Sequence, residues 1–264
     1  MSKKGFAMRA LAIAACVVFG SLSMPQGKLS AELTTGVNDD HVQIGFFYHG
    51  SAVSISGASD PGTDLIIKIS SPEGHEALRK KGKVAGFLWM TVGILNFKHV
   101  PALYFLNSSR KIEDILSKEE MLKYGIGYEA IEEHAEMDAV KNEDEKMKWF
   151  REFVKFKEFS KLYSLSSGNV SLTEKGGRQA YSILHPWPYQ APPGKYTVTV
   201  LAIKGSRVIE TAETSVLVEQ VGIIKYLAGM AKNAGALYGI VSVLAALGAG
   251  FGVGLVFRKG GGSH

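Results

Sequence analysis

Chemistry in this chain of 264 residues could come from four places. The first is an acidic run, Glu129, Glu132, Glu133, His134, Glu136 and Asp138. On a helix, Glu129/Glu133, Glu132/Glu136 and His134/Asp138 are each four apart and share a face, an arrangement by which carboxylates and an imidazole could hold a cation. The residue three before His134 is Ile131, so the Glu-x-x-His pair of di-iron bundles is missing, as is His-Glu-x-x-His. Such a run is ordinarily a solvated helix face, and it assigns no metal ligand. The second is the histidine set, His41, His49, His75, His99, His134, His185 and His264, no two at metal-ligand spacing on one element. His49-Gly50-Ser51 places a histidine beside a serine, but Gly-x-Ser-x-Gly is missing and no order of triad partners is legible. The third is Cys16, the single cysteine. The fourth is His185-Pro186-Trp187-Pro188-Tyr189-Gln190-Ala191-Pro192-Pro193, where prolines alternate with aromatics. His185, Trp187 and Tyr189 would be the tips of a stiff loop suited to a partner or to the membrane interface; the plainer alternative is a rigid crossover. Gly57-Ala58-Ser59-Asp60-Pro61-Gly62 lacks the phosphate-loop pattern and reads as a turn. No catalytic residue, cofactor or metal is assigned.

The ends of the chain carry a clearer message. Lys3, Lys4 and Arg9 precede an apolar stretch from Ala10 to Leu22, Pro25 breaks it, and Leu29-Ser30-Ala31 offers a small residue for cleavage, the three parts of a secretory signal over 1–31. Ile13-Ala14-Ala15-Cys16 fits a lipobox as a rival, although the apolar run continues past Cys16. Cleavage near Ala31 removes the only thiol, so an exported domain must stand on an ordinary core without disulfides. Gly235 to Phe257 is 23 residues without a charge, about 34 Å as a helix and enough to cross a bilayer. Arg258-Lys259 stop it on what the positive-inside rule makes the cytoplasmic side, leaving 258–264 as a tail. Gly248, Gly250, Gly252 and Gly254 supply small-xxx-small pairs for helix–helix contact, with the chain itself or with another integral protein. All 25 acidic residues lie between Glu32 and Glu219, and residues 32–232 hold 24 Lys and Arg, a balance of −1. The net charge of +5 therefore sits beside the apolar ends, which speaks for membrane targeting and against nucleic-acid binding.

The elements between these ends are mainly β with an α insertion. Period-two alternation marks strands from His41, at Val53–Ser56 and at Leu65–Ile69; Pro192-Pro193-Gly194 leads into Tyr196–Ile203, and Gly205-Ser206 turns the chain into Arg207–Val218. This predicts an immunoglobulin-like β-sandwich over 32–232. Val84–Phe97, 14 uncharged residues, is too short to span a membrane and is expected as buried strands. Residues 112–164 read as helices, with Trp149, Phe153, Phe156 and Tyr163 on one inward face.

Several short stretches, in this order, resemble one family: Val42-x-Ile44 with Phe46 through Gly57, Phe87-Leu88-Trp89-Met90, Val100-Pro101-Ala102-Leu103-Tyr104, Tyr124-Gly125-Ile126-Gly127, Lys161-Leu162-Tyr163, Pro192-Pro193-Gly194-Lys195-Tyr196 and Tyr238-Gly239. The chain resembles the Alph_Pro_TM transmembrane proteins of alphaproteobacteria, with Met90-Thr91 where the pattern has an asparagine after the tryptophan. The resemblance implies a signal peptide, an exported region and one C-terminal membrane helix, no catalytic residue, and a setting beside exporter-like permeases of sulfite or sulfonate. The expectation is a single-pass protein of the bacterial inner membrane with its bulk in the periplasm, acting as an accessory subunit of a permease. The alternative is an anchored hydrolase or metal-binding protein built on the His49 or His134 regions.

Overall fold

The computed structural model describes residues 32–46, 48, 50–138, 140 and 142–258. The signal segment, Cys16, His49 and the tail beyond Arg258 lie outside the described residues. In chain order the elements are β1 (Thr34–Val37), β2 (His41–Ile44), β3 (Ser51–Ser59), β4 (Asp64–Ser70), β5 (Glu73–Val84), β6 (Leu88–Pro101), β7 (Tyr104–Ser108), α1 (Ile112–Ile115), α2 (Lys118–Lys123), α3 (Tyr128–His134), β8 (Glu136–Met137), α4 (Glu143–Phe159), β9 (Tyr163–Ser167), β10 (Ser171–Lys175), β11 (Arg178–Trp187), β12 (Gly194–Lys204), β13 (Arg207–Gln220), α5 (Ile223–Asn233) and α6 (Gly235–Arg258).

Two sheets face each other, one ordered β1-β3-β11-β10 and the other β2-β13-β12-β4-β7-β9. Lettered A, A′, B, C, C′, D, E, F, G for β1, β2, β3, β4, β7, β10, β11, β12 and β13, the sheets read A-B-E-D and A′-G-F-C-C′, the immunoglobulin order, with β9 added in parallel beyond C′. Two details agree. The A′ strand β2 runs parallel to the G strand β13, and Tyr196 near the start of β12 donates its hydroxyl hydrogen back to the Pro192 carbonyl, a tyrosine corner. The period-two pattern is obeyed without a fault along β11, where Gln179, Tyr181, Ile183, His185 and Trp187 all turn inward.

The second sheet is covered on both faces, which explains its apolar runs. On β4, Leu65, Ile67 and Ile69 enter the core between the sheets, while Ile66 joins a second core beneath α1–α4. On β12, Val198, Val200 and Ala202 face one core, Leu201 and Ile203 the other. The second core is closed by two insertions: the β5–β6 hairpin between C and C′, and the segment α1 to β9 between C′ and D. Its aromatic centre is Phe97, stacked on Phe153 at 4.4 Å, with Tyr163 edge-on to Phe153 at 5.8 Å.

Three expectations change. Residues 84–97 do form strand, with a turn at its start, but only Leu95 and Phe97 are buried, because the hairpin overhangs the helices beneath it; Phe87 is 78% exposed and Trp89 64%. The inward stripe of α4 is Phe150, Phe153, Val154 and Lys157, with Trp149 at the margin and Phe156 in solvent. Tyr163 belongs to β9, since the helix ends at Phe159. The acidic run is not one helix: α3 stops at His134, Glu136 lies on β8 and Asp138 in the following turn. α4 itself starts where local chemistry asks, with the Asn142 side chain accepting from the Glu145 amide at 2.8 Å and three acids in the first turn.

After β13 the chain enters α5, in which Lys225 and Lys232 share a face opposite Ile223, Leu227 and Met230, and then α6. Between Gly235 and Leu255 the mean hydropathy is 1.9 and no part is buried in the protein. Ser242 returns its hydroxyl to the Tyr238 carbonyl at 2.8 Å, so its polar group needs no water.

Candidate functional site

Strand register decides which loops share an end of the sandwich. Gly194 at the start of β12 pairs Val218 near the end of β13, Thr197 pairs Ser70 at the end of β4, Ser70 pairs Tyr104, and Gln220 pairs Ile44. The chain therefore departs for α5 and α6 from the same end at which β4 gives way to the β5–β6 hairpin, β2 finishes, and β11 crosses to β12 through residues 188–193. Strands β13 and β4 are two positions apart in the sheet, about 10 Å at the usual spacing. This anchor-proximal end is the candidate site.

The segment singled out by its prolines and aromatics sits here, divided between core and surface. His185 and Trp187 are the last inward residues of β11 and only Tyr189, 70% exposed, faces solvent. The loop thus begins at Pro188. Trp187 packs edge-on against Tyr196 at 5.0 Å and Phe105 at 6.3 Å. His185 lies against Phe105 with ring centres 4.2 Å apart and planes tilted by 37°, and burial pushes its pKa down to about 4, which leaves a neutral imidazole at pH 7. Beside them opens a cleft of about 740 Å³ lined also by Tyr163, Ser164 and Lys161. Two of its lining residues bury a polar atom, the Trp187 indole nitrogen and the Ser164 hydroxyl, that has no partner among the described residues.

A second cleft, about 370 Å³, lies between β4, β6, α2 and α3 and is lined by Lys68, Glu73, His99, Tyr104, Lys123 and His134 among others. Its histidines are held by neighbours. His99, at φ 58°, has Glu73 at 3.8 Å and Glu136 at 4.0 Å, and His134 Nδ1 lies 2.9 Å from the Ala130 carbonyl. The acidic run is dispersed into ion pairs, Glu129 with Lys118 at 2.9 Å and Asp138 with Lys98 at 2.8 Å. Glu132 is half-buried, and burial raises its carboxyl above the usual range. Among the described residues no three His, Cys, Asp or Glu side chains gather as a metal site. His41 pairs with Glu219 at 3.3 Å across β2 and β13.

Three of the short stretches shared with the resembled family, residues 100–104, 124–127 and 161–163, meet beside this cleft. The Tyr104 hydroxyl donates to the Gly125 carbonyl at 3.0 Å and accepts from the Gly127 amide at 2.9 Å. Gly125 and Gly127 take φ of 63° and 91°, which a side chain would strain. Lys68, half-buried and with its pKa lowered by burial, donates to the Tyr124 carbonyl at 2.7 Å. Tyr163 donates to the Pro101 carbonyl at 2.7 Å, and the Tyr104 amide donates to the Leu162 carbonyl at 2.9 Å. Lys157, which sequence reasoning missed, completes the knot: its ammonium is buried beneath Phe153 and Tyr163, 3.0 Å from Glu76 and 3.1 Å from the Ala102 carbonyl. A lysine in step with Phe150, Phe153 and Val154 was the available signal. These stretches are architectural, tying the helical layer and the hairpin base to the second sheet.

Gly248/Gly252 and Gly250/Gly254 fall on opposite sides of α6 at 100° per residue. A Cβ at any of the four would meet nothing within 4 Å, so no contact inside the chain requires glycine there. Gly250 and Gly254 floor a groove between Phe251 and Leu255.

Comparison with curated proteins and with solved structures gives no match. The family model described as "Putative transmembrane protein (Alph_Pro_TM)" matches residues 32–259, the sandwich, both insertions and the apolar helix together. With that coverage, the chain belongs to the Alph_Pro_TM family.

Proposed function

We propose that this protein is a single-pass subunit of the bacterial inner membrane that holds an immunoglobulin-like domain in the periplasm as an accessory to an integral membrane partner of the permease type. The observation that carries the reading is α6: a helix of membrane length, with none of its apolar window covered by its own domain and with glycines that its own packing does not use. In water each glycine in a helix costs about 1 kcal/mol against alanine; in lipid, close approach of a second helix is what glycine permits. Arg258 and Lys259 at the end of the span and the near-neutral domain before it support the orientation. The face with Gly250 and Gly254, continued by Gly235 and Gly239 on the same side, is assigned to the partner.

The test is quantitative affinity capture of the tagged full chain from native membranes in mild detergent. The expected result is an integral protein enriched with the native chain and lost with Gly250→Leu/Gly254→Leu but kept with Gly248→Leu/Gly252→Leu. Identical recovery from all three, or no integral protein at all, overturns the reading.

A further inference from the structure

The distal half of the β5–β6 hairpin is apolar, cationic and uncovered. Val84, Phe87, Leu88, Trp89, Met90, Val92 and Ile94 are all exposed, so both faces of the tip are apolar, a concentration that soluble surfaces rarely leave without a function. Its turn passes through Ala85 and Gly86 at φ of 53° and 80°. Directly across the two strands Lys83 pairs Trp89 and Lys81 pairs Thr91, and the Lys83 ammonium lies 5.5 Å over the Trp89 ring. From Ala77 to Phe97 there are four cations, Arg79, Lys80, Lys81 and Lys83, and no Asp or Glu. The proximal half is fixed to the body by Leu95 and Phe97 in the second core and by Lys80 over Trp149 at 4.6 Å. The tip is therefore presented on a rigid stem.

We infer that this tip enters the surface of the bilayer that holds α6, with Phe87, Leu88, Trp89 and Met90 at the acyl boundary and Lys81 and Lys83 on anionic phospholipid headgroups. The hairpin is rooted at the end of the sandwich from which the chain leaves for α6. Apolar and aromatic residues flanked by lysines are the composition that interfacial binding selects. Beyond Lys80 the strand adds four residue steps, about 13 Å, and the expected depth of burial is about 5–10 Å. A second copy is a poor occupant, because β5 is an edge strand whose four cations would meet their own kind.

The inference rests on α6 being embedded, and the experiment separates the two. The full chain, with Cys16→Ser and a nitroxide on Phe87→Cys, is reconstituted into vesicles of phosphatidylcholine alone or of equal parts phosphatidylcholine and phosphatidylglycerol; a label on Thr173→Cys, exposed at the opposite end, is the control. Failure to float with vesicles of either kind would refute the anchor. For floating protein, the expected result is that the label at 87 gains oxygen collisions and loses collisions with a water-soluble nickel chelate in anionic vesicles, while that at 173 stays in water. Lys81→Gln with Lys83→Gln lowers the inserted-to-free ratio roughly 25-fold, about fivefold per lysine. Equal water exposure at 87 and 173, protection indifferent to lipid charge and to both lysines, or spin–spin broadening between two labels each overturns it.

Discussion

Lys157→Met and Lys157→Ala together test whether the helical layer is locked by a buried ion pair. The Lys157 ammonium donates to Glu76 and to the Ala102 carbonyl under two aromatic rings. The side chain of Lys157 is 3% exposed, that of Glu76 29%. Methionine keeps the stem and removes the charge together with its desolvation cost. What is lost is a charge-assisted hydrogen bond of about 1.5–3 kcal/mol and a cation–ring attraction of about 1 kcal/mol, while Glu76 recovers water and the absent ammonium no longer opposes folding. The net expectation is a loss of about 1–2 kcal/mol. Alanine removes three further buried heavy atoms, a methylene, the sulfur and the terminal methyl, at about 0.8 kcal/mol each, bringing the loss to about 3–4 kcal/mol. The assay is urea unfolding of the full chain in mild detergent, followed by tryptophan fluorescence. A methionine variant as stable as the native protein would refute net stabilisation by the pair. An alanine variant no worse than methionine would refute burial of the stem. Burial lowers the Lys157 pKa, with the Glu76 bond opposing. Below the ordinary lysine pKa of 10.5 the unfolded chain therefore binds more protons than the folded one, and this residue's part in stability rises with pH as that value is approached.

His185 gives an acid-side prediction. Its folded pKa of about 4 lies below the ordinary histidine value of 6.5, so between those values the unfolded chain takes the proton first and stability is lost as pH falls; the urea midpoint should drop by the equivalent of roughly 2–3 kcal/mol from pH 7 to 4.5, and His185→Phe should flatten that drop. Gly57→Ala would place a methyl 1.9 Å from the Thr34 carbonyl oxygen and 2.6 Å from the Tyr181 hydroxyl, prising β1 from β3 at a cost of about 1–3 kcal/mol; hydrogen exchange should show protection lost selectively along that strand pair. Tyr196→Phe removes the corner bond to Pro192 and should cost about 1 kcal/mol with no change in the slope of urea unfolding.

The anchor helix and the sandwich strands were legible in the sequence because each rests on a local signal: 23 uncharged residues for α6, and alternation bounded by Pro-Gly and Gly-Ser turns for β3, β4, β12 and β13. The tyrosine corner also lay in plain view as Pro192 to Tyr196, since its bond spans four residues. Which aromatic residues of the 185–193 segment meet solvent was decided by the sandwich, which draws alternate residues of β11 inward as far as Trp187 and frees only Tyr189. The same holds for the apolar stretch 84–97. Its composition resembles a buried strand, and only the placement of α3 and α4 beneath its proximal half determines where cover ends. Lys157 reads as solvated by type and is buried by periodicity, because Glu76, 81 residues earlier, and the Ala102 carbonyl meet its ammonium. The anchor-proximal site depends likewise on partners far apart in sequence. Local pattern sets the elements, but the surface they share exists only once β13 pairs with β12 and β12 with β4, and that pairing puts the hairpin root, the 188–193 loop and the membrane helix at one end.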